Sequence, residues 1–150
     1  AKVKVPIIAA GGMLDGATVA AAFALGAEGI QLGTRMVSAA ESPVHENWKQ
    51  AIVAAAETDT IFLNRRFGPA LRALRTERSA SLEDADQNVM GEFGRVKDLY
   101  FGGDMNASLA LCGQVAGRIE SVRPVAEILS EIREQFFETI DRLAEAYVRG

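Results

Sequence analysis

The chain has 150 residues, enough for one domain with its own core, because about two-thirds of the unfolded surface is buried at this size. Hydrophobic residues make up 49% and charged residues 24%, and the net charge of −4 gives no electrostatic basis for binding nucleic acid or an anionic membrane. A single cysteine, Cys112, excludes an internal disulfide and fits a reducing, cytoplasmic setting; no stretch nears the roughly 20 apolar residues that cross a bilayer.

Residues 3–10, apolar after Lys4 and partly β-branched, have the pattern of a strand buried on both faces, and in the run Pro6-Ile7-Ile8-Ala9-Ala10-Gly11-Gly12 the two glycines end it. Asp15 or Gly16 can cap a helix over 17–25, apolar nearly all round, and Gly26 suits its C′ position. Residues 28–32 give a second strand that stops at Gly33. Strand, turn, helix and strand make one right-handed βαβ unit, so the two strands should be parallel. The chain opens on Ala1 and enters a strand almost at once, so a missing upstream segment is expected.

Beyond Thr34 the character changes. Ser42-Pro43 reads as a helix start with Pro43 at N1, followed by a face of Trp48, Ile52, Val53 and Ala56. Residues 60–63 read as a short extended piece, 69–74 as a further helical turn or two, and 75–86 as an exposed polar connection. Gly102-Gly103-Asp104 introduces an expected small-residue helix over 105–117. From Pro124, Val125, Ile128, Leu129, Ile132, Phe136, Ile140, Leu143 and Tyr147 recur every three or four residues, giving a long amphipathic helix with one buried stripe.

The two glycine-ended strands carry the chemistry. A phosphate needs several N–H donors at about 3 Å, and glycine lets main chain approach that closely. Gly11 and Gly12 sit where the first strand opens towards a helix whose positive end adds attraction. Gly33 and Thr34 form the second tip, with the Thr34 hydroxyl as a further donor. Taken singly, each tip reads equally well as a tight turn; one βαβ unit apart, they point to a phosphate site, as on the last two strands of β/α barrels.

The runs from Pro6 to Gly12, Ala24-Leu25-Gly26-Ala27 and Gln31-Leu32-Gly33-Thr34-Arg35 resemble the flavin-dependent nitronate monooxygenase (2-nitropropane dioxygenase) family, itself close to the FMN-dependent enoyl-ACP reductases. The likeness continues at Glu41-Ser42, Trp48-Lys49, Phe67-Gly68-Pro69-Ala70 and Gly113-Gln114-Val115-Ala116-Gly117, and is weakest between Arg75 and Leu99. The resemblance implies an α/β fold, the C-terminal portion of a TIM (β/α)8 barrel: its last two strands plus the C-terminal helices. The expected organisation is a partial FMN-binding domain, with 1–36 as the phosphate-binding βαβ unit, 37–74 helical, 75–101 an exposed connection and 102–150 the C-terminal helices.

By the same resemblance FMN is the cofactor, its phosphate held by Gly12, Gln31, Leu32, Gly33 and Thr34 while Gly11 shapes the turn. Nitronate monooxygenases oxidise alkyl nitronates with O2; the reductases use NAD(P)H to reduce an enoyl thioester. A small-molecule substrate of one of these kinds is expected, with a homodimer or pairing with a missing N-terminal half. The family's catalytic histidine would lie upstream of Ala1. His45, the sole histidine here, reads as a surface or capping residue, and no Cys/His cluster supports a metal site. Cys112 reads as a packed thiol, Arg35 as a structural cation, and Gln114 as a helix-end residue rather than a pocket lining. A chain lacking these upstream residues would be an incomplete enzyme, or a non-catalytic binding or assembly module.

Overall fold

A computed structural model describes residues 3–149 and has a mixed α/β architecture with few strands. The chain divides into two compact units, one formed by residues 3–33 with 124–149 and the other by 34–123.

In the first unit, strand β1 (Ile8–Ala10) and strand β2 (Gly29–Gln31) flank helix α1 (Gly16–Ala24). The strands pair in parallel, Ile8 with Gly29, Ala9 with Ile30 and Ala10 with Gln31, as a βαβ unit requires. Asp15 caps α1: its carboxylate accepts the Thr18 N–H at 2.8 Å, while the Thr18 hydroxyl takes the Asp15 N–H at 3.2 Å. Gly26, at φ +100°, ends the helix in the left-handed conformation that its position demands.

The long helix α6 (Val125–Ala144), extended by one wider turn over Glu145–Arg149, packs on α1. Gly16 makes that crossing close. A Cβ there would collide with the main chain of Gln135 and Phe136, and the Gly16 N–H donates to Gln135 Oε1 at 3.1 Å. Phe23 meets Phe136 edge to face.

Two expectations for this unit need correction. The first strand is shorter than residues 3–10 and is exposed, not buried on both faces, because the two-stranded sheet offers nothing to cover it. The apolar stripe of α6 is only partly buried: Ile128 and Ile132 are covered, whereas Leu129, Ile140, Leu143 and Tyr147 stand exposed.

The second unit opens with the short helix α2 (Thr34–Val37) and helix α3 (Glu46–Ala54). The cap of α3 is His45, two residues beyond the expected start at Pro43; its Nδ1 accepts the Asn47 N–H at 3.1 Å. Strands β3 (Thr60–Leu63) and β4 (Leu71–Leu74) then form an antiparallel hairpin.

Residues 69–74 are therefore not helical, because Leu71 and Ala73 pair with Leu63 and Ile61 and face one core. The extended reading of 60–63 is correct. The segment 75–86 also departs from a simple connection. Thr76 caps helix α4 (Glu77–Ala80), burying Ser79, and Leu82 joins the same core.

A 3-10 segment (Val89–Arg95) and helix α5 (Val96–Tyr100) follow. The helix expected over 105–117 does not form. Leu109 and Ala110 are buried in extended chain beside β4, with Leu74 N–H donating to Ala110 O at 2.9 Å and Cys112 N–H to Arg72 O at 3.1 Å. Cross-strand pairing and burial outweigh the helix preference of small residues there. A 3-10 turn (Gln114–Arg118) completes this unit.

Candidate functional site

The parallel register decides the geometry of the glycine tips. Ala10 stands opposite Gln31, so Gly11-Gly12 and Leu32-Gly33 leave the sheet side by side at the C-terminal ends of their strands. Gly11 and Gly12 have φ of +89° and +76°, conformations that an L side chain adopts only under strain. Both are exposed, and a Cβ built at Gly11, Gly12 or Gly33 would meet nothing within 4 Å. Their main chain is thus bare and approachable. Gln31 is the last residue of β2 and exposed; Leu32 is half-buried.

The positive end of α1 contributes less than its position promised. Thr18 N–H is taken by the Asp15 carboxylate and Gly16 N–H by Gln135, and the anionic cap opposes a second anion at the same helix end. Donors for a phosphate are left to the glycine loop and to the second tip. Asp15 was legible as a cap; the role of Gln135, 119 positions away, had no local signal.

Thr34, the first residue of the second unit, is buried, and its hydroxyl oxygen accepts the Gly113 N–H at 2.6 Å. One acceptor site on that oxygen is occupied, while its proton remains available to a further partner. Gly113 opens the turn Gln114–Arg118, and Gly117 lets that turn lie directly on the main chain of Ala56 and Glu57. Gln114 itself is exposed at the first position of the turn.

Arg35 is buried and structural: its guanidinium donates to Ser121 O at 2.8 Å and to Ser38 Oγ at 3.3 Å. His45 has a capping role, with its ring lying where a side chain on Gly103 would go and its main-chain N–H donating to Tyr100 O at 2.6 Å. Burial pushes the Cys112 thiol up to about 12, partly offset by the Arg72 charge, so the sulfur stays protonated and poorly nucleophilic.

Sequence reasoning passed over Asn64 altogether. It is buried at φ +60°, donates through Nδ2 to Pro69 O at 3.0 Å and accepts the Val89 N–H on Oδ1 at 3.1 Å, holding the hairpin loop against the next segment. Among the described residues no group of His, Cys, Asp and Glu could hold a metal ion, and no helix is long and apolar enough to cross a membrane.

The arrangement leaves room for a small anionic group at the two tips. Two adjacent main-chain tips, freed of side chains by glycine, offer N–H donors to one anionic group. His45, the sole histidine of the chain, lies in the other unit, and the Asp15 carboxylate near the first tip accepts the Thr18 N–H of the α1 cap.

A family model described as nitronate monooxygenase matches residues 1–135. The nitronate monooxygenase of Paraburkholderia phytofirmans is 29% identical over 95% of this chain and 41% of its own. A probable nitronate monooxygenase of Staphylococcus saprophyticus is 34% identical over 59% of this chain and 25% of its own. Among solved structures, FabK from Thermotoga maritima has a TM-score of 0.89 and 38% identity, covering 96% of this chain and 48% of that one. Nitroalkane oxidase from Streptomyces ansochromogenes, at 24% identity and a TM-score of 0.74, shares the fold over 94% of this chain and 42% of its own. The chain spans less than half the length of each of these relatives.

Proposed function

Because the chain belongs to the nitronate monooxygenase family, we propose that it is the cofactor-phosphate portion of a flavin-dependent oxidoreductase that oxidises alkyl nitronates with O2 through FMN. The observation that carries the reading is the parallel register, which sets Gly11-Gly12 and Leu32-Gly33 at one end of the sheet with open space around them. In this reading β1 and β2 are the last two strands of a β/α barrel, and residues 1–36 are its phosphate-binding unit. Main-chain N–H groups of Gly12 and Gly33 hold the phosphate, Gly11 shapes the approach, and the exposed end of β2 at Gln31 and Leu32 borders it. Thr34 adds a hydroxyl proton whose direction is constrained by the bond its oxygen accepts from Gly113. FMN, when bound, supplies the redox chemistry; these residues anchor and orient it.

His45 is given no acid–base role in this reading, because its ring caps α3. A single cysteine, Cys112, supports a reducing, cytoplasmic setting for this reading.

A second reading, an FMN-dependent enoyl reductase using NAD(P)H, draws on the 38% identity to FabK over nearly the whole chain and is not favoured over the first. The two readings share the phosphate site and separate by assay. The protein with its complete barrel should consume O2 with propionate 3-nitronate; turnover of an enoyl thioester with NADH alone would reject the monooxygenase reading.

The site is tested by titrating FMN and riboflavin, which differ only by the phosphate. Two or three charge-assisted hydrogen bonds at about 1.5 kcal/mol each predict FMN binding about a hundredfold tighter or more. Equal affinity for the two flavins would overturn the assignment.

A further inference from the structure

The hairpin of the second unit frames a cavity that the flavin reading does not use. It measures about 280 Å3 and lies where the turn between β3 and β4 faces residues 83–85, walled by Phe62, Arg65, Arg66, Phe67, Glu83 and Asp84. All of these belong to residues 34–123, one compact unit. Ligand pockets begin at roughly 300 Å3, so the space suits one small ligand and not a dinucleotide.

Both walls are held from behind. Asn64 donates through Nδ2 to Pro69 O and accepts the Val89 N–H, and its carbonyl takes the Gly68 N–H at 3.1 Å, which fixes the turn. Across the cavity Leu82 is buried in the core, and the N–H groups of Glu83 and Ala85 donate to Ala80 O and Leu82 O at 3.2 Å each. The cavity is therefore preformed, and filling it costs little ordering.

Its charges do not cancel in place. Arg66 pairs with Asp86 at 2.8 Å and Glu83 with Arg75 at 3.1 Å. Arg65 has no acidic partner among the described residues. Its Nε donates to Phe62 O at 3.2 Å and its guanidinium lies 5.3 Å from the Phe62 ring centroid, which leaves the terminal N–H groups open. The Asp84 carboxylate has neither cation nor donor beside it among the described residues. The Arg66–Asp86 pair is exposed, holds weakly and leaves Arg66 with further donors. Phe67 is 45% exposed.

Each feature specifies a different part of one ligand. The open guanidinium N–H groups of Arg65, with Arg66 beside them, take an anion, and their planar fork suits a phosphate. An exposed phenyl ring takes a flat ring by stacking. A carboxylate only accepts, so that ring must bring donors to Asp84, and two parallel N–H groups satisfy both oxygens. Guanine carries such a pair in its ring N–H and its amino group; adenine has the amino group alone. We propose that this cavity binds a guanine mononucleotide, with the base on Phe67 and Asp84 and the phosphate on Arg65 and Arg66. The site uses none of the residues assigned to the flavin phosphate.

The experiment titrates the isotope-labelled 150-residue chain with GMP, AMP and guanosine, reading affinity by calorimetry and position by amide chemical shifts. GMP should bind once per chain, at least about tenfold tighter than guanosine, which lacks the phosphate, and than AMP, which lacks the donor pair. Arg65→Gln should remove most of the advantage over guanosine, and Asp84→Asn most of the advantage over AMP. Phe67→Ala should weaken all three by about tenfold, whereas Phe101→Ala, an exposed ring elsewhere in the unit, should change nothing. Arg65, Phe67 and Asp84 are exposed, so these variants keep their fold.

The amides of Phe67, Gly68 and Ala85 should move with GMP. Shifts at Gly12 and Gly33 that leave those three in place would put the nucleotide at the flavin tips and overturn the proposal. AMP binding as tightly as GMP, or no saturable GMP binding, would overturn it equally.

Discussion

The two units handle apolar sequence in opposite ways. Residues 34–123 close a core of their own: Trp48, Ile52, Ile61, Leu63, Leu99 and Leu109 are almost wholly buried. Most of their buried polar groups are satisfied, with Lys49 Nζ donating to Ala40 O at 3.0 Å, Ser79 Oγ to Leu74 O at 2.7 Å and Ser108 Oγ to Glu92 O at 2.9 Å, whereas the buried Trp48 Nε1 has no hydrogen-bond partner among the described residues. Residues 3–33 and 124–149 are as apolar in sequence yet leave Val5, Ile8, Leu25 and Leu129 in the open. Hydrophobic sequence states what must be covered; only the neighbouring elements state whether it is.

That contrast breaks first where burial differs most. Trp48→Ala, at 1% exposure, should cost about 3–5 kcal/mol, whereas Leu25→Ala should change stability by no more than about 0.5 kcal/mol. Urea unfolding followed separately in the two units reads both numbers; comparable costs would erase the distinction.

Gly16→Ala comes next, at about 3 kcal/mol, because the new methyl forces apart the main chains of α1 and α6. Amide exchange across α1 should accelerate while residues 60–74 stay protected. Uniform acceleration would show that the first unit is not a separate packing problem.

Gly103→Ala tests the second unit at one of its tightest points. It places a side chain at φ +72° against the His45 ring, at a cost of about 2 kcal/mol. Loss of the α3 cap should appear as faster exchange at Asn47, and an unchanged melting curve would contradict the capping role of His45.

The effect that is smallest near neutral pH is electrostatic. The Cys112 thiol is raised to about 12 in the folded chain by burial, above its ordinary value near 8.5. Its contribution to stability is therefore complete below that ordinary value and is lost as pH rises from there through about 12. A thiol reagent at pH 8 should react with Cys112 only upon unfolding, and fast labelling of folded protein would contradict this.

What the sequence made legible was local. The βαβ order, the Asp15 cap, the Gly26 stop and the glycine tips follow from residues within a few positions of one another. The hairpin over 60–74 and the extended stretch at 109–111 were misread because their partners lie far along the chain: Ala73 needs Ile61 and Leu111, and Asn64 needs Val89. The exposure of β1 escaped for a related reason, since a run such as Ile7-Ile8-Ala9 reads as buried whether or not a neighbour is present. At the site, Gln135 and Gly113 were invisible as partners of Gly16 and Thr34 because nothing near either residue announces them.

The central claim is that main chain at Gly12 and Gly33 holds a flavin phosphate. The most direct measurement is amide chemical-shift mapping of the isotope-labelled protein titrated with FMN and, separately, riboflavin. The account predicts that the amides of Gly11, Gly12 and Gly33 shift with FMN and move far less with riboflavin. FMN binding that leaves those three amides in place would contradict it.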